Sequence, residues 1–291
     1  SIYGGNTPQS EYEFLTGNTT SFLPSGAIAY NLYIKKDTPS LVSQLSEQGY
    51  ECIAMHPEKA TNFNRNQVYP RLGFLQFLTE DDFTDVVKIR ELCSDQSVYD
   101  KMIDLYENKQ EGQKLFLYGV TMQNHGGYTY EGEDFTPLVQ TVGLNKTYDK
   151  VNQYLTCMRY TDEALENLIG YFSDVDEHVM IVMFGDHHGD VGSDFYEELY
   201  GKKLIDVEGE QYETRYETPF FIWTNYEIEE KADEKISLNY LSTLAMQTAN
   251  IPLTEYQSFL AELQSHYPVI SAAGIYDAED NFYTWNNVEE S

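Results

Sequence analysis

Strand-like and helix-like segments alternate through most of this sequence, and that order limits the folds open to the chain. Apolar runs of strand length occupy residues 50–55, 115–121, 178–184 and 219–224. Between these runs, apolar residues recur at helical spacing, and the longest such segment covers residues 148–172. This alternation predicts an α/β fold with a mostly parallel central sheet sandwiched by helices.

The pattern changes near residue 268. Short apolar pairs there surround an acidic stretch at residues 277–281, which predicts a terminal strand or hairpin. A chain of 291 residues with 41% hydrophobic content can bury one large core. We therefore expect one domain over residues 1–267 and a small extension over residues 268–291.

The charge balance excludes some classes of partner. Lys and Arg number 18 against 48 Asp and Glu, a formal net charge of −30. Nucleic acid is not an expected partner, because binding its phosphates requires a basic face. An anionic substrate would need local cations, for which a bound metal and one or two arginines suffice.

The sequence shows no membrane span, no signal peptide and no cysteine motif. No stretch reaches the roughly 18 apolar residues of a membrane span, and the first residues are not a signal peptide, so we expect a piece of a longer protein. Cys52, Cys93 and Cys157 match neither a zinc spacing nor a disulfide framework. We expect Cys52 and Cys157 to be buried as small hydrophobic residues.

The stretch from Gly185 to Asp190 directly follows the apolar run 178–184 and reads Gly-Asp-His-His-Gly-Asp. Asp186 and His187 are adjacent, so both can reach one divalent cation, and the glycines permit a tight turn. The simpler interpretation is a turn with a solvated aspartate and a packed histidine. The roles of His188 and Asp190 stay open.

A second signal lies near the start, at Asn6-Thr7-Pro8. Thr7 has the pattern of a helix N-cap, with Pro8 at the first helical position. The same geometry suits a tetrahedral phosphate, because a helix N-terminus presents amides and the positive end of a dipole. A threonine hydroxyl activated there by a metal becomes a nucleophile. Both interpretations stay open.

Two further histidines end predicted strands. His56 follows the run 50–55, and His125 with two glycines follows the run 115–121. Ligands of open α/β sheets bind beyond the carboxyl ends of the strands, so these positions are candidates for a site. Arg65, nine residues after His56, offers a fork for phosphate. A surface ion pair for Arg65 and an ordinary loop histidine for His125 are the simpler alternatives.

Together and in this order, these segments resemble the extracellular domain of lipoteichoic acid synthases and related phosphoglycerol transferases, of the sulfatase and alkaline-phosphatase fold. The resemblance covers roughly residues 1–250. It is carried by Asn6-Thr7 with Glu11-x-Glu13, by 56–65 with Gln67-Val-Tyr and Leu72-Gly-Phe, by Asn124-His125, and by Gly185-Asp186-His187.

The resemblance implies a role for each matching residue. Thr7 takes the place of a nucleophile that forms a covalent phospho-threonine. His125 takes a substrate place, and from there its imidazole could donate a proton to the leaving alkoxide. One divalent ion is implied, Mn²⁺ with Mg²⁺ or Zn²⁺ as alternatives, held by Thr7, Asp186 and His187. The implied substrate residues for a phosphoglycerol group are His56, Glu58, Phe63 and Arg65.

The chain also departs from the family. Phe63 stands where the synthases have Trp, Glu58 where they have Asp, and His188 where they have Tyr. A further Glu metal ligand, at the end of an early strand, has no counterpart here, and Glu11 and Glu13 are poorly placed to replace it. We therefore expect an N-terminally truncated catalytic domain over residues 1–267 that binds metal weakly.

The expected activity is transfer of a phosphoglycerol-type group from a phosphatidylglycerol-like lipid to a glycan or polymer hydroxyl. It would act at the extracellular face of a bacterial membrane, in a parent protein anchored by a segment absent from this chain. Two alternatives stay open. One is a phosphodiesterase or sulfatase-like hydrolase, although Thr7 cannot become the formylglycine of sulfatases. The other is a non-catalytic, wall-associated binding domain.

Overall fold

A computed structural model describes residues 1–3, 5–24 and 26–285, and it confirms the α/β class. The chain divides into two compact units. The first unit contains residues 1–41, 176–188 and the described residues from 205 onward, and the second contains residues 42–175 and 189–204.

Helices and strands alternate as expected. The helices are α1 (Thr7–Thr16), α2 (Ala29–Leu32), α3 (Leu41–Glu47), α4 (Arg65–Leu72), α5 (Asp95–Glu107), α6 (Asp149–Ser173), α7 (Ser193–Tyr200), α8 (Gly209–Glu213), α9 (Leu238–Thr248) and α10 (Glu255–His266). The strands are β1 (Tyr50–Met55), β2 (Gln76–Leu78), β3 (Lys88–Ile89), β4 (Leu92–Cys93), β5 (Lys114–Gly119), β6 (Met180–Phe184), β7 (Phe220–Thr224), β8 (Val269–Ile270), β9 (Gly274–Tyr276) and β10 (Phe282–Thr284).

A parallel sheet of order β2-β1-β5 forms the centre of the second unit. The last four residues of β1 are buried, as expected for a parallel strand covered on both faces. Helices cover this sheet, with α4 packed on β2 and α5 packed on β5. The ring of Tyr69 meets those of Phe74 and Phe77 at centroid distances of 5.0 and 4.7 Å and anchors α4 to the sheet.

The first unit pairs its strands differently. Strand β6 runs antiparallel to β7, with Phe184 opposite Phe220. The parallel pairs of the described residues are those of β1 with β2 and with β5. Helix α1 packs on α9, and α9 packs on α10, and the apolar residues that these helices bury include Leu15, Leu241 and Leu260.

The predicted C-terminal hairpin is confirmed. Strand β9 pairs antiparallel with both β8 and β10. In the acidic turn, the Asp277 carboxylate accepts hydrogen bonds from the backbone N–H groups of Glu279 and Asn281, both at 2.9 Å. Residues 286–291 of the predicted extension lie outside the described residues, and the division at residue 267 stays a prediction.

Two other expectations can be compared with the structure. Cys52 and Cys157 are buried, as predicted, and burial raises the pKa of the Cys52 thiol to about 11. Across residues 1–3, 5–24 and 26–285, none of the helices combines the length and the apolar character that crossing a bilayer requires.

Candidate active site

One face of α1 binds the end of β6 and the turn that follows it. Thr7, Ser10 and Phe14 share this face because they are three and four residues apart. The Phe14 ring lies 4.8 Å from that of Phe184, and the Ser10 hydroxyl donates a hydrogen bond of 2.6 Å to the backbone oxygen of Asp186. These two contacts place the first turn of α1 beside Asp186.

Three predicted site residues meet at this point. The Thr7 hydroxyl donates to Asp186 Oδ2 at 2.5 Å and lies 3.3 Å from His187 Nε2. His187 Nε2 is 3.4 Å from Asp186 Oδ2. A hydroxyl, a carboxylate and an imidazole thus form a triangle, although Thr7 is 179 residues away from Asp186 in sequence.

Hydrogen bonds orient both members of the Asp186-His187 pair. His187 Nδ1 lies 2.8 Å from the backbone oxygen of His188, to which it donates. The lone pair of the neutral ring is therefore on Nε2, the nitrogen nearest Thr7 and Asp186. Asp186 Oδ1 accepts from the backbone N–H of His187 at 3.0 Å, which leaves Oδ2 for Thr7.

These donor atoms fit one divalent cation. A carboxylate oxygen and an imidazole nitrogen are ligands that Mn²⁺ and Zn²⁺ accept, and a hydroxyl can complete a third position. The side chains of His187 and Asp186 are 35% and 40% exposed, so further ligands can reach the ion. Within the described part of the chain, His, Cys, Asp and Glu form no metal-binding group of three or more. The three side chains therefore supply only part of the ligands of a divalent ion, at a site that is open to further ligands.

The cap of α1 is not the one predicted. Asn6 is the N-cap, its side chain accepts from the backbone N–H of Gln9 at 3.4 Å, and Thr7 is the first helical residue. The assignment of Thr7 as the cap is wrong by one position. Because Asn6 performs the capping, the Thr7 hydroxyl is available to Asp186.

Replacing Asn6 by alanine should lower the free energy of unfolding by about 1 kcal/mol, the usual cost of losing an N-cap. Urea denaturation measures the change. Asn6→Asp retains a capping oxygen and should be nearly neutral. A silent Asn6→Ala variant, with Thr7→Ala carrying the 1 kcal/mol loss instead, would return the capping role to Thr7.

Gly185 lies close to Thr218. A Cβ at this position would lie 3.0 Å from the Cβ of Thr218. The Thr218 hydroxyl donates to the Gly185 backbone oxygen at 2.7 Å, and the Gly185 N–H donates to the backbone oxygen of Pro219 at 3.0 Å. Thr218 thus fixes the start of the turn that carries Asp186 and His187, and no sequence motif identified it.

Glu13 has a structural role. It is 1% exposed and accepts from the Thr20 backbone N–H at 2.8 Å, from the Thr20 hydroxyl at 2.9 Å and from the Tyr3 N–H at 3.3 Å. Burial raises the pKa of its carboxyl, although these hydrogen bonds act in the opposite direction. Glu13 therefore fastens the segments on either side of α1, in agreement with its poor placement as a metal ligand.

The remaining predicted residues lie in the second unit, at the carboxyl edge of its parallel sheet. His56 follows β1, and its Nδ1 lies 2.9 Å from the backbone oxygen of Val120, directly after β5. The loop from His56 to α4 carries Glu58, which is half-buried, and Phe63, which is 41% exposed. His125 lies in the loop after β5 and is exposed.

Phe63 and Asn64, next to Arg65, form a strained corner of that loop. Phe63 and Asn64 have φ angles of +52° and +62°, a conformation that non-glycine residues rarely adopt. The guanidinium carbon of Arg65 lies 5.1 Å from the centre of the Phe63 ring. Arg65 is fully buried, so its interpretation as a surface ion-pair residue is wrong. The placement of these residues relative to Thr7 and Asp186, which lie in the other unit, stays a prediction.

Comparison with known proteins places the chain in a family. The sulfatase family model matches residues 1–251. A Rhizobium meliloti protein named for the modification of cyclic beta-1,2-glucan is 29% identical over 274 residues, which are 92% of this chain and 42% of that protein. The lipoteichoic acid synthase of Staphylococcus aureus is 29% identical over 211 residues, 69% of this chain and 31% of the synthase.

Solved structures agree with this placement. The Streptococcus pyogenes phosphoglycerol transferase GacH, solved with sn-glycerol-1-phosphate, has a TM-score of 0.70 and 25% identity, covering 92% of this chain and 68% of that one. The Listeria monocytogenes lipoteichoic acid synthase LtaP shares the fold, with a TM-score of 0.69 and 18% identity over 97% of this chain and 75% of that one.

The chain spans between about a third and two fifths of the length of the curated relatives named above. The match to the sulfatase model nevertheless includes Thr7 and the Asp186-His187 pair. The chain belongs to the sulfatase family, in the group that includes lipoteichoic acid synthases and phosphoglycerol transferases.

Proposed function

We propose that this chain is the catalytic portion of a metal-dependent phosphoglycerol transferase. It moves a phosphoglycerol-type group from a phosphatidylglycerol-like lipid to a hydroxyl of a glycan or polymer. The observation that carries the proposal is the Thr7 hydroxyl at the N-terminus of α1, 2.5 Å from Asp186 Oδ2 and 3.3 Å from His187 Nε2. The likeness to GacH and to the S. aureus synthase supports the substrate class.

Thr7 is the nucleophile in the first half of the reaction. Its Oγ attacks phosphorus, a new O–P bond forms, and the bond from phosphorus to the lipid oxygen breaks. The hydroxyl proton leaves to water on the open side of the site, where the side chains of Asp186 and His187 are 40% and 35% exposed. His125 protonates the departing alkoxide, as a general acid. The product is a phosphoglycerol ester of Thr7.

The second half returns the group to an acceptor. A glycan or polymer hydroxyl attacks the same phosphorus and gives its proton to His125. The bond from phosphorus to Thr7 Oγ breaks, and the threonine oxygen takes up a proton from water. The positive end of the α1 dipole favours the anionic phosphate throughout.

Thr7, Asp186 and His187 would hold one divalent ion, with Mn²⁺ the proposed metal and Mg²⁺ or Zn²⁺ the alternatives. When bound, such an ion lowers the pKa of a coordinated hydroxyl and neutralises phosphate oxygens. The His187 tautomer fixed by the His188 backbone oxygen supports this assignment, because it directs a lone pair from Nε2.

His56, Glu58, Phe63 and Arg65 are the proposed binding residues for the phosphoglycerol head group. Their common loop at the carboxyl edge of the parallel sheet supports this role. We place the reaction at the extracellular face of a bacterial membrane, where a lipid donor and a wall polymer can both reach the site.

The experiment that tests this function traps the covalent intermediate. The metal-loaded protein is incubated with phosphatidylglycerol vesicles and quenched in acid, and the peptide that contains Thr7 is analysed by mass spectrometry. We expect a glycerophosphate adduct on Thr7 in the wild type and none in Thr7→Ala. Turnover without an adduct, together with an active Thr7→Ala variant, would show that water attacks and that the protein is a hydrolase.

A further inference from the structure

The loop that carries His125 is held by one arginine. Residues 120–128 form neither helix nor strand, so their backbone polar groups need other partners. Arg90 Nη2 donates to the backbone oxygens of Gln123 and His125, both at 2.9 Å, and Nη1 donates to that of Gly127 at 3.4 Å. One guanidinium therefore binds three carbonyls within five residues, including that of His125 itself.

The Arg90 guanidinium is enclosed by protein. Arg90 is 5% exposed, and its guanidinium carbon lies 4.9 Å from the centre of the Tyr128 ring. Tyr128 is 2% exposed and donates its hydroxyl hydrogen to the backbone oxygen of Asn124 at 2.6 Å. Water cannot easily replace the arginine here, because the site is buried and a planar fork matches the carbonyls.

The backbone at Arg90 is strained. Arg90 and Glu91 form the two-residue turn between β3 and β4, with φ angles of +53° and +67°. Such turns favour Asn-Gly, and two consecutive non-glycine residues with positive φ carry a conformational cost. The residue with this strained backbone is therefore the same residue whose side chain binds the His125 loop.

Side chains of the same loop are fastened to α5 and α6. The Gln123 amide donates to the Cys157 backbone oxygen and to Thr161 Oγ1, both at 3.1 Å, and accepts from the Asp95 N–H at 3.1 Å. Asn124 also donates to Thr161 Oγ1, at 2.7 Å, and Thr161 donates to Asp95 Oδ2 at 2.6 Å. The side chains of buried Gln123 and half-buried Asn124 are therefore fixed, whereas His125 itself is exposed.

We propose that Arg90 is a positioning residue that sets the location of the His125 imidazole for proton transfer. This proposal rests on the role of His125 in the proposed function. A general acid must lie within hydrogen-bond reach of the atom that it protonates. By holding the carbonyls of Gln123, His125 and Gly127, Arg90 removes the freedom of the loop to move the imidazole out of reach.

Arg90→Lys tests the proposal in the metal-loaded protein. Lysine keeps the charge but cannot donate to three carbonyls at once, so we expect kcat to fall about 10- to 100-fold, with KM within about threefold. Tyr128→Phe is a second, milder variant that keeps the ring but frees the Asn124 carbonyl, and it should lower kcat by a smaller factor. Arg159→Lys is the matched control, because Arg159 is exposed and pairs with Glu163 in the same helix. Unchanged kcat in both Arg90→Lys and Tyr128→Phe would overturn the proposal.

A double-mutant cycle separates positioning from general structural damage. In a His125→Gln background, adding Arg90→Lys should change kcat less than about twofold, because the group that it positions is gone. Equal effects of Arg90→Lys with and without His125 would overturn the Arg90 proposal while leaving the proposed function intact. A silent His125→Gln variant would instead remove His125 from the proposed function.

A spectroscopic readout tests Arg90 without relying on turnover. The imidazole NMR signals of His125 can be assigned by their loss in His125→Gln. They should shift or broaden in Arg90→Lys and stay in place in Arg159→Lys. Unchanged His125 signals in Arg90→Lys would show that Arg90 does not set the environment of this side chain, whatever reaction the protein catalyses.

Discussion

Replacing Thr7 by alanine should lower kcat at least about 1,000-fold, because the proposed covalent route would be lost. The free energy of unfolding should change by less than about 1 kcal/mol. The lost hydrogen bond to Asp186 lies at a partly exposed site, where a water molecule can donate to the carboxylate in place of the Thr7 hydroxyl. Asn6, rather than Thr7, caps α1, so the helix keeps its cap in this variant. Steady-state kinetics with urea denaturation of the same samples measures both quantities.

Two further variants make this result specific. Thr7→Ser keeps a hydroxyl at the same position and should retain measurable turnover and the covalent adduct. Thr38→Ala is a matched control, because Thr38 is a threonine of the same unit whose hydroxyl bonds to the backbone oxygen of Lys36. A Thr7→Ala variant with more than about a tenth of wild-type kcat would exclude Thr7 as the nucleophile.

Asp186→Ala should weaken binding of the divalent ion at least about 100-fold, since it removes the one carboxylate of the Thr7-Asp186-His187 triangle and leaves an incomplete ligand set. Isothermal titration with Mn²⁺ measures the affinity, and metal analysis after dialysis gives the occupancy. Turnover should fall with occupancy and should not return when donor lipid is raised.

The effect should be confined to the site. Asp176→Ala removes an exposed carboxylate of the same unit and is expected to leave Mn²⁺ affinity unchanged. His187→Ala should weaken binding as Asp186→Ala does, because its Nε2 faces the same point. Full Mn²⁺ occupancy in Asp186→Ala would contradict the assignment of this pair as metal ligands.

Local pattern was enough to predict several features of this protein. The apolar run 178–184 predicted a strand that ends at Phe184, and this end is confirmed, although the strand begins at Met180 and its residues are half-buried. Spacing of apolar residues predicted α6, and the acidic stretch near Asp277 predicted the turn between β9 and β10. These features depend on residues that are close together in the chain, so they can be predicted from the local sequence.

Prediction failed or stopped where distant segments meet. Proline favours the start of a helix without specifying which neighbour caps it, and Asn6 rather than Thr7 occupies the cap of α1. The antiparallel pairing of β6 with β7 depends on hydrogen bonds between strands about 40 residues apart, which strand propensity does not specify. Arg65 looked like a surface residue, but packing buries it completely.

In the candidate site, too, the residue types could be predicted from the sequence, but the contacts between distant residues could not. From the sequence alone, Asp186 and His187 were candidate metal ligands and Thr7 a candidate nucleophile, because their residue types and neighbours suit those roles. The meeting of Thr7 with Asp186 depends on Ser10 and Phe14, whose contacts with the end of β6 span more than 160 residues of chain. Arg90 belongs to no motif, and its hold on the His125 loop exists only in the folded chain. Such contacts follow from how the whole core packs, which local sequence patterns do not encode.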